Sequence, residues 1–159
     1  RGATTHTVDE LTRAFDDVIG VVALSAESKI MLAGGGSAYA HLARHLRENA
    51  SSAPGRQAMA VESFAAALES IPWTLAENSG TDPVDAILAL KGAGVHDGIS
   101  IDGDIKNMKE LGVIEPRKLI RTAITSAVEA STLILRIDDV ISMKPEGGMQ
   151  MPPMPPGMG

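Results

Sequence analysis

Four stretches of the sequence repeat apolar residues three and four positions apart, and this spacing constrains the fold more than any other feature. An α-helix gathers such positions on one face, whereas a half-buried strand would need strict alternation. The stretches lie at residues 6–27, 37–52, 54–71 and 115–137. The spacing therefore predicts a mainly helical chain, and the broad apolar face of residues 115–137 predicts that this helix is central and buried.

Capping residues predict where three helices begin. Thr7, with Glu10 three residues later, has the pattern of a capping box for the first helix, and Ser37 is a candidate cap for the second. Asp82 followed by Pro83 predicts the start of a further helix, because proline is tolerated in a first turn.

Proline and glycine mark the other boundaries. Pro72 lies within the third helical pattern and is predicted to interrupt or restart that helix, since proline has no N–H to donate. Short extended segments are predicted before the glycines at 34–36, as a hairpin or edge strand around "ISID" (99–102), and at 138–143 as a terminal strand. Residues 144–159 are rich in Gly, Pro and Met and are predicted to be disordered.

Composition limits both the core and the partners. Aromatic residues make up 3% of the 159 residues, so the core has to be built from Ala, Val, Ile and Leu, in one domain. With a net charge of −6 and no cluster of basic residues, we expect neither a nucleic-acid nor a membrane partner. The sequence contains no cysteine, which excludes disulfides and thiolate sites and fits the cytoplasm as the expected location.

Several residues are candidates for chemistry. The turn at Gly34–Gly36 could hold an anion at the start of a helix, or it could be only a tight turn. Asp16 and Asp17 are solvated helix residues or carboxylates that orient a water or a metal. Glu115 either stabilises the N-terminal end of a helix or accepts hydrogen bonds from a ribose. His41 and His45 share a helix face, but they lack the third ligand of a metal site.

Longer motifs carry a resemblance over nearly the whole chain. In this order they resemble the C-terminal part of a group II chaperonin subunit, of the thermosome and eukaryotic cytosolic chaperonin family. The motifs are "RGATTHTVDELTRAFDDVIGVV", "LAGGGSAY", "AVESFAAALESIPWTLAENSGTDPVDAI" and "ELGVIEPRKLIRTAITSAVEASTLILRIDDVI".

The resemblance implies a fold and a function. Residues 1–30 would end the intermediate domain, and residues 31–143 would form the helical C-terminal half of the equatorial domain, with a short β hairpin and a terminal strand. Residues 144–159 would be the disordered tail. The complete subunit would be an ATPase that forms rings with other chaperonin subunits and assists the folding of unfolded client proteins inside the ring.

The resemblance also implies an ATP site. Asp17 matches the aspartate that activates the water attacking the γ-phosphate. Gly35 and Gly36 match the turn beside the base and ribose, and Glu115 matches the acid that binds the ribose hydroxyls. No clean counterpart of the family's adenosine-contacting Asp or Asn is present at residues 95–103, although Ser100 or Ile99 could occupy its place.

The family's phosphate-binding "GDGT" loop is not in the sequence. The cofactors ATP and Mg²⁺ are therefore expected for a complete subunit, with the Mg²⁺ ligands in its N-terminal half, and we expect this chain to be a fragment and a poor ATPase. A second interpretation stays open, in which the chain is a non-catalytic helical interaction module that associates through exposed apolar faces.

Overall fold

A computed structural model describes residues 4–50 and 54–138. These residues form five helices and four short strands, which confirms the prediction of a mainly helical fold with a small β hairpin. In chain order the elements are α1 (Thr5–Ser28), β1 (Met31–Ala33), α2 (Ser37–Ala50), α3 (Arg56–Ser79), α4 (Pro83–Gly92), β2 (Asp97–Ile99), β3 (Ile105–Asn107), β4 (Ile114–Pro116) and α5 (Arg117–Leu135). Within these two ranges, no helix is long and apolar enough to cross a bilayer.

The strands form two separate antiparallel pairs. β1 pairs with β4, with Leu32 opposite Glu115, and β2 pairs with β3, with Gly98 opposite Lys106. The hairpin is present as predicted, but only Ile99 of "ISID" lies in a strand, because β2 ends at Ile99 and residues 100–104 form the turn. The predicted terminal strand, apart from Asp138, and the predicted tail at 144–159 lie outside the described residues.

Two of the three predicted caps differ from the structure. α1 is capped by Thr4, whose hydroxyl accepts the N–H of Thr7 at 3.2 Å, so the prediction of Thr7 as cap was wrong. Ser37 is fully buried, and its hydroxyl donates to the carbonyl of Val95 at 3.1 Å instead of capping α2. Asp82 accepts the backbone N–H groups of the next helical turn, as predicted.

α3 continues through Pro72, contrary to the prediction of a break. The residue is fully buried and costs the helix one backbone hydrogen bond. Burial of the ring compensates for this loss, since α3 runs for 24 residues from Arg56 to a left-handed Gly80. Pro72 therefore acts as a packing surface inside a continuous helix.

Within residues 4–50 and 54–138, the core includes two small clusters whose buried residues are alanine, leucine and isoleucine, as the low aromatic content predicts. In the first, Ala43 of α2 packs with Ala65 and Leu68 of α3, and Tyr39, Leu46 and Ile124 cover them. The second joins α3, α4 and the hairpin through Ala76, Ala86 and Ile99. Alanine at these positions lets the helices approach closely.

α5 is not the central buried helix that its apolar face predicts. Ile120 is its one buried residue, and the exposed fractions of Leu133, Ile134 and Leu135 are 67%, 68% and 84%. The apolar pattern was correctly recognised, but periodicity shows that a face is apolar without showing what covers it.

A charged cluster at Arg47 ties three helices together. Arg47 of α2 donates two hydrogen bonds to the carboxylate of Glu69 of α3 and one, of 2.7 Å, to Glu62. Lys91 of α4 lies 3.5 Å from Glu69. Burial opposes ionisation of Glu69, but the hydrogen bonds from Arg47 and the charge of Lys91 outweigh it and lower the pKa of Glu69 below its ordinary value.

We predict that Glu69→Gln lowers the free energy of unfolding by about 2 kcal/mol at pH 7. Because folding lowers the pKa of Glu69, its contribution is complete above the ordinary value of 4.5 and is lost as the pH falls through the folded-state pKa. Urea unfolding at pH 7 and pH 3 measures the difference, which should shrink at pH 3. The control Glu62→Gln removes an exposed partner of the same arginine and should cost less than about 0.5 kcal/mol.

Candidate functional site

The glycine turn at residues 34–36 is fixed by backbone hydrogen bonds to two other parts of the chain. The N–H of Gly34 donates to the carbonyl of Val113, and the N–H of Ile99 donates to the carbonyl of Gly35, both at 2.9 Å. The turn therefore brings the end of β1, the hairpin and the residue before β4 into direct contact.

Glycine is required in this turn for two reasons. Gly35 and Gly36 have φ of +62° and +75°, which side chains disfavour. A Cβ on Gly35 would also lie 2.7 Å from the carbonyl oxygen of Ile99, and one on Gly36 would lie 2.8 Å from the Cβ of Pro72. Tight packing alone thus accounts for both glycines, so their contact with a nucleotide stays a prediction.

We predict that Gly36→Ala costs about 3 kcal/mol of unfolding free energy, the sum of backbone strain and overlap with Pro72. The matched control is Gly80→Ala, because Gly80 has φ of +78° with no atom within 4 Å of an added Cβ. Gly80→Ala should lower the free energy of unfolding by only about 1 kcal/mol, because it adds backbone strain without an overlap. Urea unfolding of both variants measures the two losses, and equal losses would contradict the role of the Pro72 contact.

Glu115 lies in β4, directly opposite Leu32 of β1. Leu32 precedes Gly34, the first residue of the turn, by two positions. The helix that follows begins at Arg117, and its N-cap, Pro116, makes no side-chain hydrogen bond. Glu115 is therefore a strand residue, and the sequence expectation that places it at the helix start, where capping could explain it, is wrong. Pro116 likewise ends β4 instead of opening α5.

The carboxylate of Glu115 is half-buried, and among the described residues it has no hydrogen-bond or ion-pair partner. Burial raises the pKa of Glu115. The pKa of Tyr39 is also raised, first by its own burial and then by the charge of Glu115, which places the two side chains near each other. Glu115 therefore has unused capacity to accept hydrogen bonds from a ligand.

We predict that Glu115→Gln raises the stability of the ligand-free chain at pH 7. Because folding raises the pKa of Glu115, the native state holds its proton more tightly, and stability falls as the pH rises through the ordinary value of 4.5 toward the folded-state pKa. The gain should vanish near pH 3, where both states are protonated. Urea midpoints of wild type and variant at the two pH values measure it; a less stable variant at pH 7 would mean that Glu115 supports the fold.

A cavity of about 460 Å³ adjoins the turn. Its lining combines apolar side chains with Ser100 and one charged residue of each sign. The described residues that line it are Ile99, Ser100, Ile101, Asp102, Lys106, Met108, Leu111 and Val113. The hydroxyl of Ser100 is buried without a hydrogen-bond partner.

Asp17 lies on the exposed surface of α1, in the middle of the helix. No hydrogen bond or ion pair within the described residues joins it to Gly35, Gly36 or Glu115. α1 contacts β4 and α5, and near its C-terminal end Glu27 pairs with Lys118 of α5 at 2.7 Å. The structure thus places Glu115 on β4, which pairs with β1 just before the turn that holds Gly35 and Gly36, and it places Asp17 on a helix that contacts β4.

Sequence reasoning missed two features of this site. Ser100 was considered only as a possible adenosine contact, because nothing local shows that its hydroxyl is buried and unpaired. Val113 was not singled out, although its position two residues before Glu115 could have indicated it. His41 is engaged otherwise: its Nδ1 accepts from Arg44 at 2.9 Å, and its Nε2 donates to the carbonyl of Gly94 at 3.0 Å.

Known proteins are similar to this chain in both fold and sequence. The open-state monomer of a group II chaperonin from Methanococcoides burtonii matches with a TM-score of 0.71 at 40% identity, over 86% of this chain and 35% of that one. The fold is therefore that of a chaperonin. A model of the TCP-1/cpn60 chaperonin family matches residues 1–145, and the chain belongs to that family.

Thermosome subunits are among its relatives. The chain is 50% identical to a thermosome subunit of Methanopyrus kandleri, over 91% of this chain and 27% of that protein. It is 46% identical to the thermosome subunit beta of Methanothermobacter thermautotrophicus, over 97% of this chain and 31% of that protein. The chain thus spans about 30% of the length of these relatives.

Proposed function

We propose that this chain acts within an ATP-dependent chaperonin subunit, where it supplies the base and ribose wall of the ATP site. The observation that carries the proposal is Glu115, a half-buried carboxylate without a partner next to the glycine turn. Ribose hydroxyls are donors, so they would satisfy an acceptor that the fold leaves unpaired. Family membership supports the same assignment.

The base would enter the cavity beside the turn. Its apolar walls, among them Ile99 and Val113, suit the faces of an adenine ring. The buried hydroxyl of Ser100 can donate to or accept from an edge of the ring. Gly35 and Gly36 would lie beside the base and ribose, as the family resemblance implies.

Asp17 is proposed as the catalytic residue. ATP, when bound, would supply the γ-phosphate, and the carboxylate of Asp17 would orient and deprotonate the water that attacks it. The carboxylate is exposed on α1 and is not engaged in a hydrogen bond with the described residues, so it is free to serve this role. Mg²⁺ and the phosphates are assigned to residues outside this chain, in the N-terminal half of the subunit.

The same proposal includes partners and location. Other chaperonin subunits would form a ring with the subunit, and unfolded proteins would be its clients in the cytoplasm. Domain membership is part of it as well, with residues 1–30 in the intermediate domain and residues 31–143 in the equatorial domain.

The test uses a complete subunit that contains this chain. We predict that Asp17→Ala lowers kcat for ATP hydrolysis by at least about 100-fold while the Kd for ATP stays within about twofold. Glu115→Gln should instead weaken ATP binding about tenfold, and it should abolish the preference for ATP over 2′-deoxy-ATP. Phosphate release measures kcat, and calorimetry measures Kd.

Neighbouring acids provide the controls. Asp16→Ala removes the adjacent carboxylate on α1, and Glu110→Gln removes an exposed carboxylate near β4, so both should leave kcat and Kd unchanged. Retained turnover in Asp17→Ala would overturn its catalytic role. An unchanged preference for ATP in Glu115→Gln would overturn the ribose assignment.

A second candidate function is a non-catalytic helical interaction module. The exposed apolar residues of α1 and of the last turns of α5 favour it, because large uncovered apolar patches usually mark interaction surfaces. Nucleotide binding distinguishes the two candidates. An interaction module would associate with its partners in the absence of nucleotide, whereas the proposed ATP site requires that a subunit containing this chain binds ATP.

A further inference from the structure

An ion pair joins the end of α1 to the start of α5. Nζ of Lys118 lies 2.7 Å from Oε2 of Glu27, and the two residues are 91 positions apart in the chain. Glu27 lies in the last turn of α1, the helix that carries Asp17. Lys118 lies in the first turn of α5, directly after the strand that carries Glu115. The pair therefore connects the segment of the proposed catalytic carboxylate to the segment of the proposed ribose acceptor.

The dipole of its own helix explains neither charge. A carboxylate near the C-terminal end of a helix and an ammonium near the N-terminal end both lie where the helix dipole disfavours them. Glu27 is one residue from the end of α1, and Lys118 is one residue from the start of α5. Each charge is instead stabilised by the other, so the contact between the two helices accounts for a pair that local helix stability does not favour.

Within this chain, α1 is held near its C-terminal end. Its partly buried residues all lie in the last two turns, and they are Leu24, Ser25 and Ser28. Just beyond the helix, the carbonyl of Ile30 accepts the backbone N–H of Arg117 at 3.0 Å. This bond fixes the position of the helix end but leaves the direction of its axis free. The pair of Glu27 and Lys118 adds a second fixed point about one turn further along α1, and two such points set the direction.

The position of Asp17 depends on the direction of this axis. Asp17 lies about 16 Å along the axis from Ser28, the last residue of α1, so a tilt of about 10° at that end moves its carboxylate by about 3 Å. A displacement of about 1 Å at a reacting group can lower a rate about 100-fold. A small change in the tilt of α1 would therefore separate Asp17 from the water that it is proposed to activate.

We propose that Glu27 and Lys118 are positioning residues, whose ion pair holds α1 at the tilt that brings Asp17 to the γ-phosphate. This inference rests on the proposed function, because it requires Asp17 to act in ATP hydrolysis. It adds two residues to that function, and neither of them contacts the nucleotide.

Charge reversal in a complete subunit that contains this chain tests the pair. Glu27→Lys and Lys118→Glu should each lower kcat for ATP hydrolysis about fivefold, since an exposed ion pair shifts an equilibrium only modestly. The double variant restores the pair with its charges exchanged and should return kcat to within about twofold of wild type. Phosphate release at saturating ATP measures kcat, so a change in ATP affinity does not enter the comparison.

Urea unfolding of the 159-residue chain separates positioning from stability. Each single reversal places at its helix end the charge that the dipole favours, and this gain opposes the loss of the pair. The urea midpoints of both single variants should therefore stay close to that of wild type while kcat falls. A loss of kcat that is matched by a loss of stability would overturn the positioning role.

The control reverses an ion pair that lies wholly within α1. Glu10 and Arg13 are paired at 3.1 Å, and this pair does not join the helix to another element. Glu10→Lys and Arg13→Glu should therefore leave kcat within about twofold of wild type. An equal loss of kcat in these variants would overturn the proposal, and so would a Glu27→Lys/Lys118→Glu double variant that is slower than both single variants.

A distance measurement tests the tilt without ATP. The sequence has no cysteine, so spin labels can be attached at Ala14→Cys on α1 and Leu88→Cys on α4, both exposed positions. In the 159-residue chain, the distribution of distances between the labels should broaden in Glu27→Lys and narrow again when Lys118→Glu is added. An unchanged distribution in Glu27→Lys would overturn the proposal.

Asp17→Ala separates this proposal from the proposed function. Retained turnover in Asp17→Ala would overturn the catalytic role of Asp17, and the positioning role with it. Lost turnover in Asp17→Ala together with unchanged kcat in Glu27→Lys and Lys118→Glu would overturn the positioning role alone.

Discussion

The glycine turn at residues 34–36 is the constraint on which the rest of the structure depends. It has no side chains, so three elements approach its backbone at once: the segment before β4 through Val113, the hairpin through Ile99, and α3 through Pro72. Buried backbone groups must be paired, and these contacts pair them. The same turn that holds the fold together thus contacts Ile99 and Val113, two of the residues that line the Ser100 cavity.

Local patterns predicted the helices well because helix formation depends on local spacing. The starts at Asp82 and Pro83 follow from residues that interact within one turn. The predicted break at Pro72 was wrong, because this proline is buried against Gly36, which lies in a distant segment of the chain. The exposure of α5 was unpredictable for the same reason: an apolar face in the sequence does not show whether another element covers it.

The site could be predicted only in part. The association of Gly35, Gly36 and Glu115 is implied by family resemblance, and in the structure Glu115 lies opposite Leu32 in a three-residue antiparallel pair of β1 and β4 that ends just before the glycine turn. Such a short strand has no recognisable period, and Pro116 made Glu115 resemble the start of a helix. Asp17 was selected by resemblance alone, and its place on an exposed helix leaves its catalytic role to experiment.

The unpaired carboxylate of Glu115 has a thermodynamic consequence. Folding places it in a half-buried position where its charge is poorly solvated, and this lowers the stability of the folded chain. A ligand that donates hydrogen bonds to Glu115 removes this penalty and binds only the folded chain, which shifts the folding equilibrium by linkage. Binding of such a ligand and the free energy of unfolding are therefore linked. A substitution that weakens the fold would also weaken apparent binding, and binding would raise the free energy of unfolding.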